Sequence, residues 1–181
     1  MSKYKLNVLL FPALLLLSPG LVNAQVARHY DVVIDELLPD PSPPVGLPNS
    51  EFIELKNRAG FPINLRNWKV RSGSGTATII VNYLLQPDSF VVICAASVAG
   101  SFSAFGPVIG VSSFPSLNND EDVISLISPE STVIHAVGYE FNWFDNALKS
   151  EGGWTLEMID TGNPCGPGNW KSSVNSKGGT V

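Results

Sequence analysis

The chain has 181 residues, of which 44% are hydrophobic and 15% are charged, and its formal net charge at pH 7 is −5. This length suits one domain with a buried core. The acidic excess excludes the basic surface that phosphate binding requires, so we expect no nucleic-acid partner. Two histidines and two cysteines without ligand spacing predict no metal centre or cofactor.

The N-terminal segment has the organisation of a secretory signal peptide. Lys3 and Lys5 precede an apolar run from Leu6 to Leu17, and Val22-Asn23-Ala24 forms a small-residue cleavage site. The apolar run is too short for an ordinary transmembrane helix. We therefore predict a signal peptide over residues 1–24, no membrane span in the mature chain, and a secreted or cell-surface location, extracellular or periplasmic. Retention as an uncleaved anchor is the alternative.

The rest of the chain, residues 25–181, is predicted to be one all-β domain. Short runs rich in β-branched and aromatic residues alternate with Gly, Pro, Asn and Asp. We predict strands over residues 30–38, 51–57, 63–65, 68–71, 76–82, 90–94, 123–127, 133–139 and 154–159. The uncharged stretch 95–114 is predicted as a long connection with a helical turn near residues 97–105. Many short strands at close spacing favour an antiparallel β-sandwich.

The strand 51–57 has two different faces. Ile53 and Leu55 point one way, whereas Phe52, Glu54 and Lys56 point the other. One apolar and one mixed face predict a sheet that covers a core with one side only.

Several carboxylates cluster in the first part of the chain. They are Asp35, Glu36, Asp40, Glu51 and Glu54. Neighbouring strands can bring Glu36 and Glu54 together, as acid–base chemistry requires, but no nucleophile accompanies them. We favour a structural role in which Glu54 hydrogen-bonds a loop or pairs with an arginine such as Arg66.

No catalytic residue is predicted. The chain lacks a Gly-x-Ser-x-Gly motif, His29 lies near the new N-terminus, and His135 lies within a strand. A hydrolase triad requires a positioned histidine, so we predict that this chain is not an enzyme.

Two cysteines, Cys94 and Cys165, are present. An even number of cysteines in an exported chain favours a disulfide between them. The alternative is two separate buried thiols.

A metal site is considered at Asp120 and Asp122. The segment Asn118-Asn119-Asp120-Glu121-Asp122 places oxygen atoms at alternating positions, which suits calcium. It lacks the glycine and the distal glutamate of an EF-hand loop. A solvated hairpin turn is therefore the favoured interpretation.

Three aromatic residues, Phe141, Trp143 and Phe144, form the best candidate for a contact surface. Three aromatic side chains within four residues, after a strand, suit a binding hot spot for protein or glycan. The alternative is that they fold back and cap one end of the sandwich, since large aromatic residues are usually buried.

A series of motifs occurs in a characteristic order along the chain. They are Val33–Pro41, Glu51–Asn57 (pattern E-[FY]-[IV]-E-[LI]-x-N), Ile63–Trp68 (hydrophobic-x-L-x-x-W), Leu85–Cys94, Phe114–Asn119, Gly152–Asp160, Asn163–Cys165, Asn169-Trp170 and Gly178–Thr180. This order resembles the lamin-tail domain family, and the resemblance implies an immunoglobulin-like β-sandwich. The loop 40–48 and the segment 141–144 are similar to the secreted bacterial branch of the family.

The C-terminal residues depart from the family pattern. The family typically ends in Gly-Gly-Thr-Pro-Gly, whereas this chain ends in Gly179-Thr180-Val181. We therefore expect the domain to be the N-terminal part of a longer protein.

The function predicted from these features is a non-catalytic, secreted interaction or structural module. Its partner is expected to be a protein or glycan at the cell surface. Because bacterial relatives often accompany hydrolases or nucleases, one alternative is an accessory module of such an enzyme. Another is a calcium-stabilised carbohydrate-binding module.

Overall fold

The computed structural model describes residues 26–181, so the predicted signal peptide lies outside the described residues. The strands are β1 (Val32–Leu38), β2 (Phe52–Asn57), β3 (Ile63–Asn64), β4 (Lys69–Ser72), β5 (Gly75–Thr78), β6 (Leu84–Leu85), β7 (Phe90–Ala95), β8 (Val108–Val111), β9 (Glu121–Ile127), β10 (Val133–Glu140), β11 (Leu156–Met158) and β12 (Trp170–Ser172). Helical structure in this range is a short α1 (Ala99–Phe102) and 3-10 turns at Ala96–Val98, Phe141–Trp143 and Lys149–Glu151. None of these helices is long and apolar enough to cross a membrane.

The strands form a two-layer sandwich. One layer is a six-stranded sheet with the order β12-β11-β1-β2-β7-β8, and the other is a four-stranded sheet with the order β10-β9-β4-β5. A short β3–β6 pair is separate from both. All pairs are antiparallel except β7 with β8. The predicted all-β, immunoglobulin-like antiparallel sandwich is confirmed.

The main core lies between the two large sheets. Ile53 and Leu55 of β2 point into it, as the sequence pattern predicts, and they meet Val70, Ile124 and Leu126 of the opposite layer. Burial of apolar side chains on these inner faces is the main source of stability in such a sandwich.

A second, smaller core covers part of the outer face of the six-stranded sheet. Phe52 packs edge-to-face against Phe102 of α1, with 5.2 Å between the ring centroids. Leu38, Val92 and Cys94 complete this cluster. The predicted helical turn in the uncharged connection therefore serves to cover these side chains.

Some strand predictions were wrong in their extent. The predicted strand 76–82 ends at Thr78, and Ile79 instead bonds through its amide to the carbonyl of Trp68. Strand β8 lies inside the stretch 95–114, for which the sequence pattern predicts no strand, and the pattern predicts neither β6 nor β12. These three strands have only two to four residues each, too few for alternation to identify.

The Gly152-Gly153 pair allows two loops to approach closely. Both residues have positive φ, 115° and 76°. A Cβ atom at Gly152 would collide with the carbonyl oxygen of Ser42, and one at Gly153 with that of Pro43. Glycine is therefore required here, where the chain enters β11 beside the proline-rich loop.

Candidate functional site

A β-bulge in β1 places two adjacent carboxylates on one face. The register of β1 against β2 shifts between Ile34 and Glu36. Because Ile34 and Leu37 both point into the main core, the bulge leaves Asp35 and Glu36 between them, away from that core.

Three glutamates from three strands lie side by side on this outer face. Glu36 of β1 is directly opposite Glu54 of β2 on one side and Glu157 of β11 on the other. Like charges at opposite positions of an antiparallel pair destabilise a sheet. Asp35 and these three glutamates, which we call the carboxylate ladder, therefore weaken the fold when they are ionised.

Few donors reach the carboxylate ladder. Glu36 accepts hydrogen bonds from the backbone amide of Thr180 at 3.0 Å and from its hydroxyl at 2.9 Å. Glu54 is only 9% exposed, and within residues 26–181 no hydrogen bond or ion pair reaches its carboxylate. One buried oxygen each of Asp35 and Glu157 also lacks a partner within that range.

The surroundings raise the pKa values of Asp35, Glu36 and Glu54. Burial, together with the charges of Glu36 and Asp35, raises the pKa of Glu54 to about 8. Burial, with a contribution from Glu157 and against the effect of Lys56, raises the pKa of Asp35 to about 6. Burial raises the pKa of Glu36 as well, although the hydroxyl of Thr155 and the hydrogen bonds from Thr180 oppose the shift.

The expectation that Glu54 hydrogen-bonds a loop or pairs with Arg66 is wrong. Arg66 lies in the connection after β3 and donates to Asn82 at 3.5 Å instead. The loop contact is made by the neighbouring Glu36. Glu54 and Asp35 instead line an open cavity of about 690 Å³, whose walls include Phe90 and Phe105.

The predicted aromatic contact surface is only partly exposed. Phe144 is 8% exposed and belongs to the main core. Trp143 is half-buried and stacks on Trp170, with 6.0 Å between the ring centroids. Phe141 is 50% exposed, so it is the member of the group with free surface.

Comparison with known families identifies the domain. The model of the Lamin Tail Domain family matches residues 25–141. The chain belongs to the lamin tail domain family. No curated protein matches it.

In this lamin tail domain, the motif residues have structural positions. Trp68 lies in the main core with Leu65, and Asn57 at the end of β2 donates through its side chain to the carbonyls of Phe61 and Leu85 at 2.9 Å each. The family match ends at residue 141, yet β11 pairs with β1 and β12 pairs with β11. Residues beyond the match thus complete the six-stranded sheet.

The predicted disulfide between Cys94 and Cys165 is wrong, because both thiols of this lamin tail domain are free. Cys94 is buried in the smaller core on β7, and burial raises its pKa to about 11. Cys165 is exposed in the β11–β12 loop, 2.6 Å from the hydroxyl of Tyr30. An even cysteine count indicates a disulfide only where the two side chains can meet.

The two thiols predict a simple labelling result. We expect Ellman's reagent to modify one thiol per native chain, Cys165, and two in denaturant, because Cys94 is buried and stays protonated. Cys165→Ser should abolish the native reaction, and Cys94→Ser should leave it intact. No native reaction under non-reducing conditions, restored by a reductant, would contradict the free-thiol assignment.

The segment around Asp120 and Asp122 forms a braced turn. Asp122 accepts hydrogen bonds from the hydroxyl of Ser72 and from the backbone amides of Asn118 and Val123. Asp120 is exposed. In the part of the chain that the structure describes, no group of three or more His, Cys, Asp or Glu residues is arranged to hold a metal ion.

His135 is a buried structural residue. Its Nδ1 accepts a hydrogen bond from the backbone amide of Ile34 at 3.0 Å. Burial lowers its pKa to about 4, although a hydrogen bond to the backbone of Pro164 opposes the shift. The imidazole thus joins β10 to β1 in its neutral form.

Sequence reasoning missed Glu157 as a member of the carboxylate ladder. Its local signal is weak: a glutamate between Leu156 and Met158 looks like an ordinary solvent-facing strand position. Only the pairing of β11 with β1 places it opposite Glu36.

Proposed function

We propose that this lamin tail domain is a secreted, non-catalytic interaction module. The observation that carries the proposal is the exposure of Phe141 on a turn whose neighbours are fixed. Phe144 anchors the turn in the main core, and Trp143 stacks on Trp170. An exposed aromatic side chain on a rigid support is typical of a binding hot spot.

The neighbourhood of Phe141 mixes aromatic and polar groups. Asn142 donates to Glu140 at 3.2 Å, and Asp145 accepts a hydrogen bond from the hydroxyl of Ser172 at 2.8 Å. Such a mixture suits a protein or glycan partner at the cell surface, since interfaces combine an apolar anchor with a polar rim.

The state of several acid–base groups supports a non-catalytic role. The Nδ1 of His135 is occupied by a backbone amide. Glu51 accepts hydrogen bonds from the hydroxyl of Ser116 and the amide of Leu117, both at 3.2 Å. Groups held in this way position loops and strands, whereas a general base must reach a substrate proton.

Secretion is tested by the fate of residues 1–24. The family match starts at residue 25, directly after the proposed cleavage site at Ala24, which supports the proposal. We expect bacterial cells that express the whole chain to yield a periplasmic or extracellular protein that begins at Gln25, as measured by intact mass. A cytoplasmic protein that keeps residues 1–24 would contradict secretion.

The stability of two variants tests the division of roles in the aromatic group. Phe141→Ala is expected to lower the free energy of unfolding by less than about 1 kcal/mol, because the side chain is 50% exposed and loses only an edge contact with Phe144, 6.5 Å between ring centroids. Trp143→Ala should cost about 1–2 kcal/mol through the lost stacking on Trp170. Urea unfolding of both variants measures the difference, and equal losses would show that Phe141 is a packing residue.

Binding is tested with the same residue. We expect the labelled chain to bind a glycan on an array or the surface of the cells that secrete it, and Phe141→Ala to lower that affinity at least about tenfold. Leu148→Ala is the matched control, because Leu148 is 67% exposed on the following segment. Undiminished binding by Phe141→Ala, or no binding by the unmodified chain, would overturn the proposed surface.

A further inference from the structure

The outer face of the six-stranded sheet concentrates negative charge. Four carboxylates of the ladder, Asp35, Glu36, Glu54 and Glu157, come from three adjacent strands. Lys56 is the cation whose charge lowers the pKa values of Asp35 and Glu54. The ladder therefore has more negative charge than its protein neighbours balance.

The geometry of Glu54 indicates a missing partner. This side chain is nine-tenths buried and faces the 690 Å³ cavity, yet no donor among residues 26–181 reaches it. Asp35 lines the same cavity and has a buried oxygen without a partner in that range. A mostly buried carboxylate whose oxygen atoms face an open cavity and have no protein donor is costly, and a cation bound in that cavity would lower the cost.

The walls of the cavity are suited to hydrocarbon. Phe90, Val92, Phe105 and Pro107 contribute apolar surface next to the carboxylates. The carboxylates are not arranged as a metal site, since the described part of the chain holds no metal-binding group of three such residues. A ligand with a compact cationic end and an apolar stem matches both parts of the cavity.

Lys56 shows that an ammonium group is compatible with this face. Its Nζ lies 4.7 Å from the centre of the Phe90 ring, a cation–π contact. Within residues 26–181 the ion pair that forms joins Lys149 to Asp145, and Lys56 forms none with the ladder. A second ammonium can therefore take the place beside Glu54 that Lys56 leaves open.

We propose that this cavity binds a primary alkylammonium group, with Glu54 and Asp35 accepting its hydrogen bonds and the apolar walls packing on its stem. An ammonium has three donors, which suits two carboxylates with unpaired oxygens. The group can belong to a free diamine or to the lysine side chain of another protein. The cavity shares no residue with the Phe141 turn, so its ligand is additional to the partner proposed above.

The binding experiment uses two probes on the purified chain at pH 8. Titration calorimetry is carried out with cadaverine, a free diamine, and with Nα-acetyl-lysine N-methylamide, which stands for a protein side chain. Glu54→Gln is expected to weaken binding at least about tenfold. Glu121→Gln is the matched control, since Glu121 is exposed on β9 and the substitution removes the same charge; it should leave the affinity unchanged.

A third variant gives an effect in the opposite direction. Lys56→Met removes the competing cation, so we expect it to strengthen binding about two- to fivefold. A merely structural role of the ladder would not weaken binding in one variant and strengthen it in the other. Melting curves at pH 8 establish that the three variants are folded.

The two probes distinguish the source of the ammonium. Binding of cadaverine alone supports a free diamine, and binding of the lysine derivative, with or without cadaverine, supports a protein side chain. The inference is overturned if neither probe binds, if Glu54→Gln binds as well as the unmodified chain, or if calcium chloride binds at Glu54 while neither amine does.

Discussion

Replacing Trp68 with alanine is expected to lower the free energy of unfolding by about 3–5 kcal/mol, as for other large aromatic side chains in cores. Trp68 is 2% exposed in the main core. Its backbone also holds the connection in place, since its amide donates to Leu65 and its carbonyl accepts from Ile79. The substitution leaves a large cavity at the centre of the sandwich, and urea unfolding measures the loss.

Trp170→Ala is the comparison for this prediction. Trp170 is half-buried at the edge of the sheet, on β12, so its removal should cost clearly less than the removal of Trp68. If both variants lost the same stability, or if Trp68→Ala lost less than about 1 kcal/mol, the position of Trp68 in the closed core would be contradicted.

The second large effect is a gain of stability. Glu54→Gln is expected to raise the free energy of unfolding at pH 8 by about 4 kcal/mol, because each unit by which folding raises a carboxyl pKa costs about 1.4 kcal/mol once the unfolded state is ionised. The pKa of Glu54 is about 8 in the folded chain, against an ordinary value of 4.5. Between these two pH values the folded state holds a proton on Glu54 that the unfolded state has lost. The unmodified chain therefore loses stability as the pH rises from about 4.5 to 8.

The gain should disappear in acid. At pH 4 the carboxyl group is protonated in the folded state and largely so in the unfolded state, so Glu54→Gln and the unmodified chain should differ little. Asp35, whose pKa is raised to about 6, keeps part of the pH dependence in the variant. Urea unfolding from pH 4 to 8 measures both curves, and a gain that is independent of pH would contradict the electrostatic explanation.

His135 changes the stability with pH in the opposite direction from Glu54. Its pKa is about 4 in the folded chain, against an ordinary value of 6.5. Its contribution is present above pH 6.5 and is lost as the pH falls through 4, because the unfolded state then binds more protons. We expect His135→Gln to flatten the acid side of the stability curve and to leave the alkaline side, which Glu54 and Asp35 determine, unchanged.

The alternation of apolar and polar residues predicts the inner, core-facing side of the six-stranded sheet well and its outer side poorly. The alternation in β2 correctly separated Ile53 and Leu55 from Phe52 and Glu54, because burial on one side of a strand has a period of two. The bulge at Asp35 has no comparable signature. The pairing of β11 with β1 is also non-local, so the position of Glu157 beside Glu36 requires the fold.

The candidate sites show the same difference. The sequence pattern groups Phe141, Trp143 and Phe144 by residue type, but the 3-10 turn exposes Phe141, whereas Phe144, directly after the turn, is buried. It paired Cys94 with Cys165 by count, whereas one thiol is in the smaller core and the other in an exposed loop. Residue types and spacing identify which groups are available, and only the topology determines which of them meet.

The ionised carboxylate ladder lowers the stability of this domain, and it also gives the outer face of the sheet the charge to bind a cation. Stability and binding are then linked, because a ligand that binds only the folded state stabilises it. Cadaverine should accordingly raise the melting temperature of the unmodified chain at pH 8, with a smaller effect on Glu54→Gln.

The most direct measurement is the titration of the Glu54 side-chain carboxyl carbon by NMR spectroscopy. The structure predicts a midpoint near pH 8, and saturating cadaverine should lower it, because a bound ammonium favours the ionised carboxylate. A midpoint near the ordinary value of 4.5, unmoved by the amine, would contradict a buried carboxylate that lacks its partner.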